Sequence, residues 1–190
     1  KERPNGATNG DVAIFEANIS DVAAGMANVI IKINWSQTSL YFWLIDDFQL
    51  AEAWDNDLRM KYHTVEWDDG NDNTIESYTY NLPISQLGGS LKNFEAAAIN
   101  FGENDQWGTQ MSVDITKNNE SIWSQVSEGL AVDVLSIDTT IIAEAFTPTE
   151  FGHYKITYDY FSEETEQTPE DDMAEVFFNV TDSIYSRADD

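Results

Sequence analysis

Apolar and polar residues alternate in steps of two along most of the chain. Val29, Ile31, Ile33 and Trp35 interleave with Ile30, Lys32 and Asn34. Met111, Val113 and Ile115 interleave with Ser112, Asp114 and Thr116. Tyr154, Ile156, Tyr158 and Tyr160 interleave with Lys155, Thr157 and Asp159, and Val176, Phe178 and Val180 repeat the pattern. A period of two means strands with one buried and one solvated face, as in antiparallel sandwiches. Turn-forming breaks separate the runs: Asp69-Gly70-Asn71, Leu87-Gly88-Gly89, Lys117-Asn118-Asn119 and Glu150-Phe151-Gly152. The spacing predicts an all-β chain built as a β-sandwich.

Two stretches compete for helix. Residues 19–26 begin with Ser20-Asp21, a plausible cap, but span barely two turns. Residues 93–100 hold three alanines. Phe94, Ala96 and Ala98 nevertheless alternate with their neighbours, which predicts a strand. A seam falls at 51–57, after the dense aromatic run 41–50. Leu58, Met60 and Tyr62 then start a new run, with Arg59, Lys61 and His63 on its polar face. The domains are therefore read as 1–53 and 54–190.

Composition narrows the function. Among 190 residues there are 35 acidic and 9 basic ones, a net charge of −26. Nucleic acid is a poor partner for such a surface, because phosphates would be repelled rather than neutralised. The acidity is dispersed along the chain. A saline extracellular setting and an ordinary acidic protein explain it equally well. There is no cysteine, which excludes disulfides, zinc-thiolate sites and cysteine nucleophiles, and only His63 and His153 supply imidazole. No stretch reaches the ~18 apolar residues of a membrane span. The chain carries no starting methionine and no signal segment, so it is expected to be a processed product or a piece of something longer.

Two segments resemble modules that stand side by side in large secreted proteins of Bacteroidetes-type bacteria. Asn18-Ile19-Ser20-Asp21-Val22, the run 29–35 and Trp43-Leu44-Ile45-Asp46-Asp47-Phe48-Gln49-Leu50 resemble the end of a MAM-like, or choice-of-anchor, jelly roll. Residues 55–184 resemble a CARDB-type Ig-like domain. The carrying residues are Asn56-Asp57-Leu58, Asn100-Phe101-Gly102, Phe146-Thr147-Pro148, Gly152-His153-Tyr154 and Phe178-Asn179-Val180-Thr181-Asp182-Ser183. The resemblance implies an Ig-like β-sandwich preceded by part of a jelly-roll β-sandwich whose first half is missing. It also implies export, and a role in adhesion, spacing or substrate attachment.

Candidate chemistry is sparse. G-x-S-x-G, H-E-x-x-H, the P-loop and G-x-G-x-x-G are all absent. A carboxylate pair could serve a glycosidase, but among so many acids some pair is close by chance. His63 and His153 are read as surface residues. Asp46 shares a face with Phe42, Leu44, Phe48 and Leu50, so its charge needs a partner. The family resemblance implies that an aspartate here can ligate a structural cation, and Ca²⁺ suits the oxygen ligands of Asp46 and Asp47. The alternative is hydrogen bonding to neighbouring backbone amides. Asp68, Asp69 and Asp72 surround Gly70 like half of an EF-hand loop, without the closing glutamate; a solvated turn is the alternative. Trp35, Tyr41, Trp43 and Trp54 could stack on sugar rings or simply fill a core. Asn18, Asn34, Asn119 and Asn179 open sequons. Thr139 and Ser183 fit an O-glycosylation pattern of Bacteroidetes-type proteins, against unmodified hydroxyls.

The expected role is a non-catalytic adhesion or spacer module of a secreted or cell-surface protein. Its partners would be neighbouring domains or copies of itself. The rivals are a carbohydrate-binding accessory module of a secreted hydrolase and a filament subunit assembled by strand addition.

Overall fold

The computed structural model describes residues 16–34, 48–67, 73–75, 79–86, 89–182 and 186–188. The chain divides into two compact units, 1–53 and 54–190. In the described part of the first unit the one regular element is α1 (Ser20–Ala23), a single turn. Its start is helped by Asn18, whose Oδ1 accepts the Ser20 N–H at 2.9 Å. Residues 29–34, expected as a strand, form no ladder with other described residues, and Val29, Ile30, Ile31 and Ile33 are exposed. Alternation alone does not make a strand. An extended run needs a neighbour to satisfy its backbone and cover its apolar face.

The second unit is a β-sandwich. One sheet has the order β2 (Asn73–Ile75), β1 (Leu58–Trp67), β4 (Leu91–Asn100), β8 (Ile137–Ile142). The other runs β11 (Ser186–Ala188), β3 (Thr79–Pro83), β10 (Met173–Thr181), β9 (Gly152–Phe161), β5 (Gln106–Lys117), β6 (Glu120–Val126), with β7 (Leu130–Val132) also on β5. Every pairing is antiparallel except β3 with β10. The strands expected around 93–100, 111–116, 154–160 and 176–180 are β4, β5, β9 and β10. Lys117-Asn118-Asn119 is the β5–β6 hairpin: Asn118 and Asn119 both take positive φ, as a two-residue turn matched to strand twist demands.

The expected polar face of β1 fails halfway. Met60 pairs with Ala98 and Tyr62 with Ala97, so Lys61 is an extra residue, a bulge. A one-residue insertion exchanges the two faces. Tyr62 therefore turns outward, where its hydroxyl donates to Glu95 at 2.8 Å. His63 turns inward to Tyr158, ring centroids 5.4 Å apart, and is not a surface residue of a polar face. A second irregularity lies on β4, where Asn93 takes φ 49° and donates to Glu66 at 2.7 Å.

The interior is apolar and aromatic. Phe94, Trp123, Phe146, Tyr154 and Phe178 touch in succession, with centroids 4.9 to 6.2 Å apart. Two phenols cross from one sheet to the other. Tyr158 donates to the Thr64 carbonyl at 3.0 Å, and Tyr160 to the Ala96 carbonyl at 2.7 Å. Burial raises the pKa of both; that of Tyr160 is pushed up to about 12. Each phenol thereby fills core volume and satisfies a buried polar atom at once.

Candidate functional site

The polar centre of the second unit lies at the end of the sandwich where β1 and β10 begin. A strap, residues 162–172, connects β9 to β10 across that end. Its side chains hold the backbone of residues 56–58. Gln167 Oε1 accepts the Asn56 N–H at 3.0 Å, and Glu166 Oε2 accepts the Leu58 N–H at 3.0 Å. Asn56 Oδ1 in turn accepts from Gln106 Nε2 at 3.0 Å. Ser162 donates to Gln106 Oε1 at 2.7 Å. The first two bonds satisfy backbone N–H groups, and the other two fix the side chains beside them.

Asp57 is buried and takes a two-pronged grip from Arg59, with Nε to Oδ1 at 2.8 Å and Nη2 to Oδ2 at 2.6 Å. Thr168 adds a hydroxyl to Asp57 Oδ1 at 3.1 Å. Such forked, charge-assisted pairs are the strong class of hydrogen bond. The same guanidinium reaches Asp171 Oδ2 at 3.3 Å and lies 4.2 Å from the centroid of the Phe101 ring.

Beside this ion pair sit two carboxyls that it does not neutralise fully. Asp172 is 1% exposed, and among the described residues its Oδ1 has no hydrogen-bond partner. The same holds for Asp171 Oδ1. Burial, then Glu166, Asp171, Asp159 and Asp57 around it, push Asp172 up to about 9. Asp171 is raised by burial and by Asp57, against the pull of Arg59. Asp171 also borders an open groove of about 600 Å³, between Met60, Tyr62 and His63 on one side and Met173 and Ala174 on the other.

Gly102 closes the arrangement from β4's side. A Cβ there would stand 2.7 Å from the Asp55 carbonyl and 2.9 Å from the Asp57 nitrogen. Asn100 Oδ1 accepts the Gly102 N–H, and the Phe101 N–H donates to the Asp57 carbonyl at 2.7 Å. Asn56-Asp57-Leu58 and Asn100-Phe101-Gly102 are thus two halves of one contact.

No family model matches the chain, and no curated protein matches it. Among solved structures it is similar to the CARDB domain of a Pyrococcus furiosus protein, crystallised in complex with di-metal ions. The identity is 15%, the match covers 72% of this chain and 100% of that one, and the TM-score is 0.41. A solution NMR structure of that domain gives 15% identity, 68% and 96% coverage, and a TM-score of 0.42. A likeness this loose assigns no residue and no activity.

Of the residues singled out in the sequence, Trp35, Tyr41, Trp43, Asp46, Asp47, Asp68, Asp69, Asp72 and Ser183 lie outside the described residues. Trp54 is half-exposed, and its carbonyl accepts from the Glu103 N–H at 3.0 Å. Thr139, on the outer face of β8, lies 3.4 Å from the Tyr62 hydroxyl. Asn179 donates to Asn81 and bonds to the His153 ring, so its sequon amide is already engaged in a cross-strand ladder. Among the described residues, no three Asp, Glu or His side chains are placed to hold a metal ion. The strap cluster was missed. Glu163-Glu164-Thr165-Glu166 and Glu170-Asp171-Asp172 look like solvated acidic runs, and nothing local distinguishes the buried Asp172 from the rest.

Proposed function

We propose that the chain is a non-catalytic extracellular spacer or adhesion module of a larger secreted or cell-surface protein. In this reading residues 54–190 are a CARDB-type Ig-like sandwich and residues 1–53 the end of a jelly roll. The observation that carries it is the cross-sheet bracing. Tyr158 and Tyr160 tie the two sheets through backbone carbonyls inside a closed aromatic interior. Long antiparallel ladders flank them, eight residue pairs between β9 and β10 and eight between β5 and β9. A module that spaces or tethers must keep its shape under tension, and such bracing resists the sliding of one sheet over the other. Meeting of the Asn56-Asp57-Leu58 and Asn100-Phe101-Gly102 motifs supports the Ig-like reading. Calcium at Asp46 and Asp47, or at Asp68, Asp69 and Asp72, belongs to the same proposal; equal melting temperatures with calcium and with chelator would remove it.

The test is single-molecule stretching of the chain between its termini, beside a panel of glycosides, esters and peptides. A mechanically stable unit matching 54–190, with no turnover, is expected. Turnover lost on one carboxylate substitution would overturn the reading, as would a unit that extends without a force peak.

A further inference from the structure

We propose that the strap 162–172 is a proton-fastened clasp, docked on the start of β1 while Asp172 is protonated and released as Asp172 ionises. On the strap, Glu166, Glu170 and Asp171 surround the site; β9 adds Asp159, and the segment leading into β1 adds Asp57. Arg59 is the cation in contact with this group, and its guanidinium is divided between Asp57 and Asp171. An ionised Asp172, 1% exposed and with Oδ1 unpartnered among the described residues, would face neighbouring carboxylates with no counter-charge of its own. A buried charge in that position discharges by taking up a proton.

The strap's anchors are what the proton protects. The Tyr160 N–H donates to the Asp172 carbonyl at 3.1 Å, and Glu166 and Gln167 hold the N–H groups of Leu58 and Asn56. Swinging Asp172 out to water would draw the strap off residues 56–58. The free side chain ionises above about pH 4. Docked, it stays neutral until about pH 9. Between those limits each opening releases one proton, so the opening constant rises about tenfold per pH unit. The stabilisation is complete below the free value and is lost as pH climbs towards the docked one.

The experiment is amide hydrogen exchange on the whole chain from pH 5 to 9, corrected for intrinsic rates and read at Leu58 and Gln167. Protection in the native protein should fall about tenfold per pH unit, while core amides of β5 stay level. In Asp172→Asn the slope at the strap should vanish. The ¹³C carboxyl resonance of Asp172 in the unaltered protein gives a second readout that needs no folded variant, and it should report a neutral group at pH 7. A flat strap profile, a slope that survives Asp172→Asn, or an ionised Asp172 at pH 7 would overturn the clasp. So would a strap slope abolished by millimolar Ca²⁺ and restored by chelator, because the neutralising species would then be a cation.

Discussion

The interior between the sheets and the strap-covered end both bury polar and apolar groups, but by different chemistry. In the interior, Phe94, Ile115, Ile156 and Phe178 close the space by fit alone, and the hydroxyls of Tyr158 and Tyr160 are bonded across it. At the end, Asn56, Asp57, Arg59, Gln106 and Glu166 close it by hydrogen bonds and charge. Apolar burial is indifferent to pH and weakly affected by salt. A buried carboxylate group depends on proton count and on the one guanidinium it shares. The sandwich therefore has a constant middle and an adjustable end, and the two should separate under perturbation.

The largest effect should come from the middle. Phe94→Ala removes a fully buried ring packed 4.9 Å from Trp123. A loss of about 3–5 kcal/mol is expected. Denaturant unfolding at pH 5 and at pH 8 should show the same loss; a loss that changed with pH would blur the contrast. Gly102→Ala tests the seam where both regions meet. Its Cβ would press on the Asp55 carbonyl and the Asp57 nitrogen, both backbone atoms that cannot step aside. About 1–3 kcal/mol is expected from such crowding, together with faster exchange of the Phe101 N–H. An unchanged melting curve would mean that the seam yields. The smallest change is Tyr158→Phe, which removes one cross-sheet hydrogen bond and keeps the ring. It leaves the Thr64 carbonyl without that donor and should cost about 1 kcal/mol, with no change at the strap.

Much of the middle was legible from the residues. Alternation over 111–116 and 154–160, and the Asn118-Asn119 turn, are local signals that the tertiary structure kept. The bulge at Lys61 was not legible, because an inserted residue leaves composition unchanged and merely exchanges faces; Tyr62 and His63 traded places for that reason. Alternation over 29–34 describes a face but does not name the partner that a ladder needs. The end of the sandwich was the least legible region. Asp57 and Asp172 are separated by 115 positions in a chain full of acids. Their burial follows from the path of the strap, which no short window contains.

The crossed phenols have an optical consequence. A phenol that becomes phenolate absorbs at longer wavelength, and Tyr158 and Tyr160 cannot make that change while their hydroxyls are bonded to Thr64 and Ala96 inside the core. In an alkaline titration the absorbance change of the crossed pair should therefore come together with loss of the sandwich. The protein carries its own colorimetric gauge of whether its two sheets are still joined.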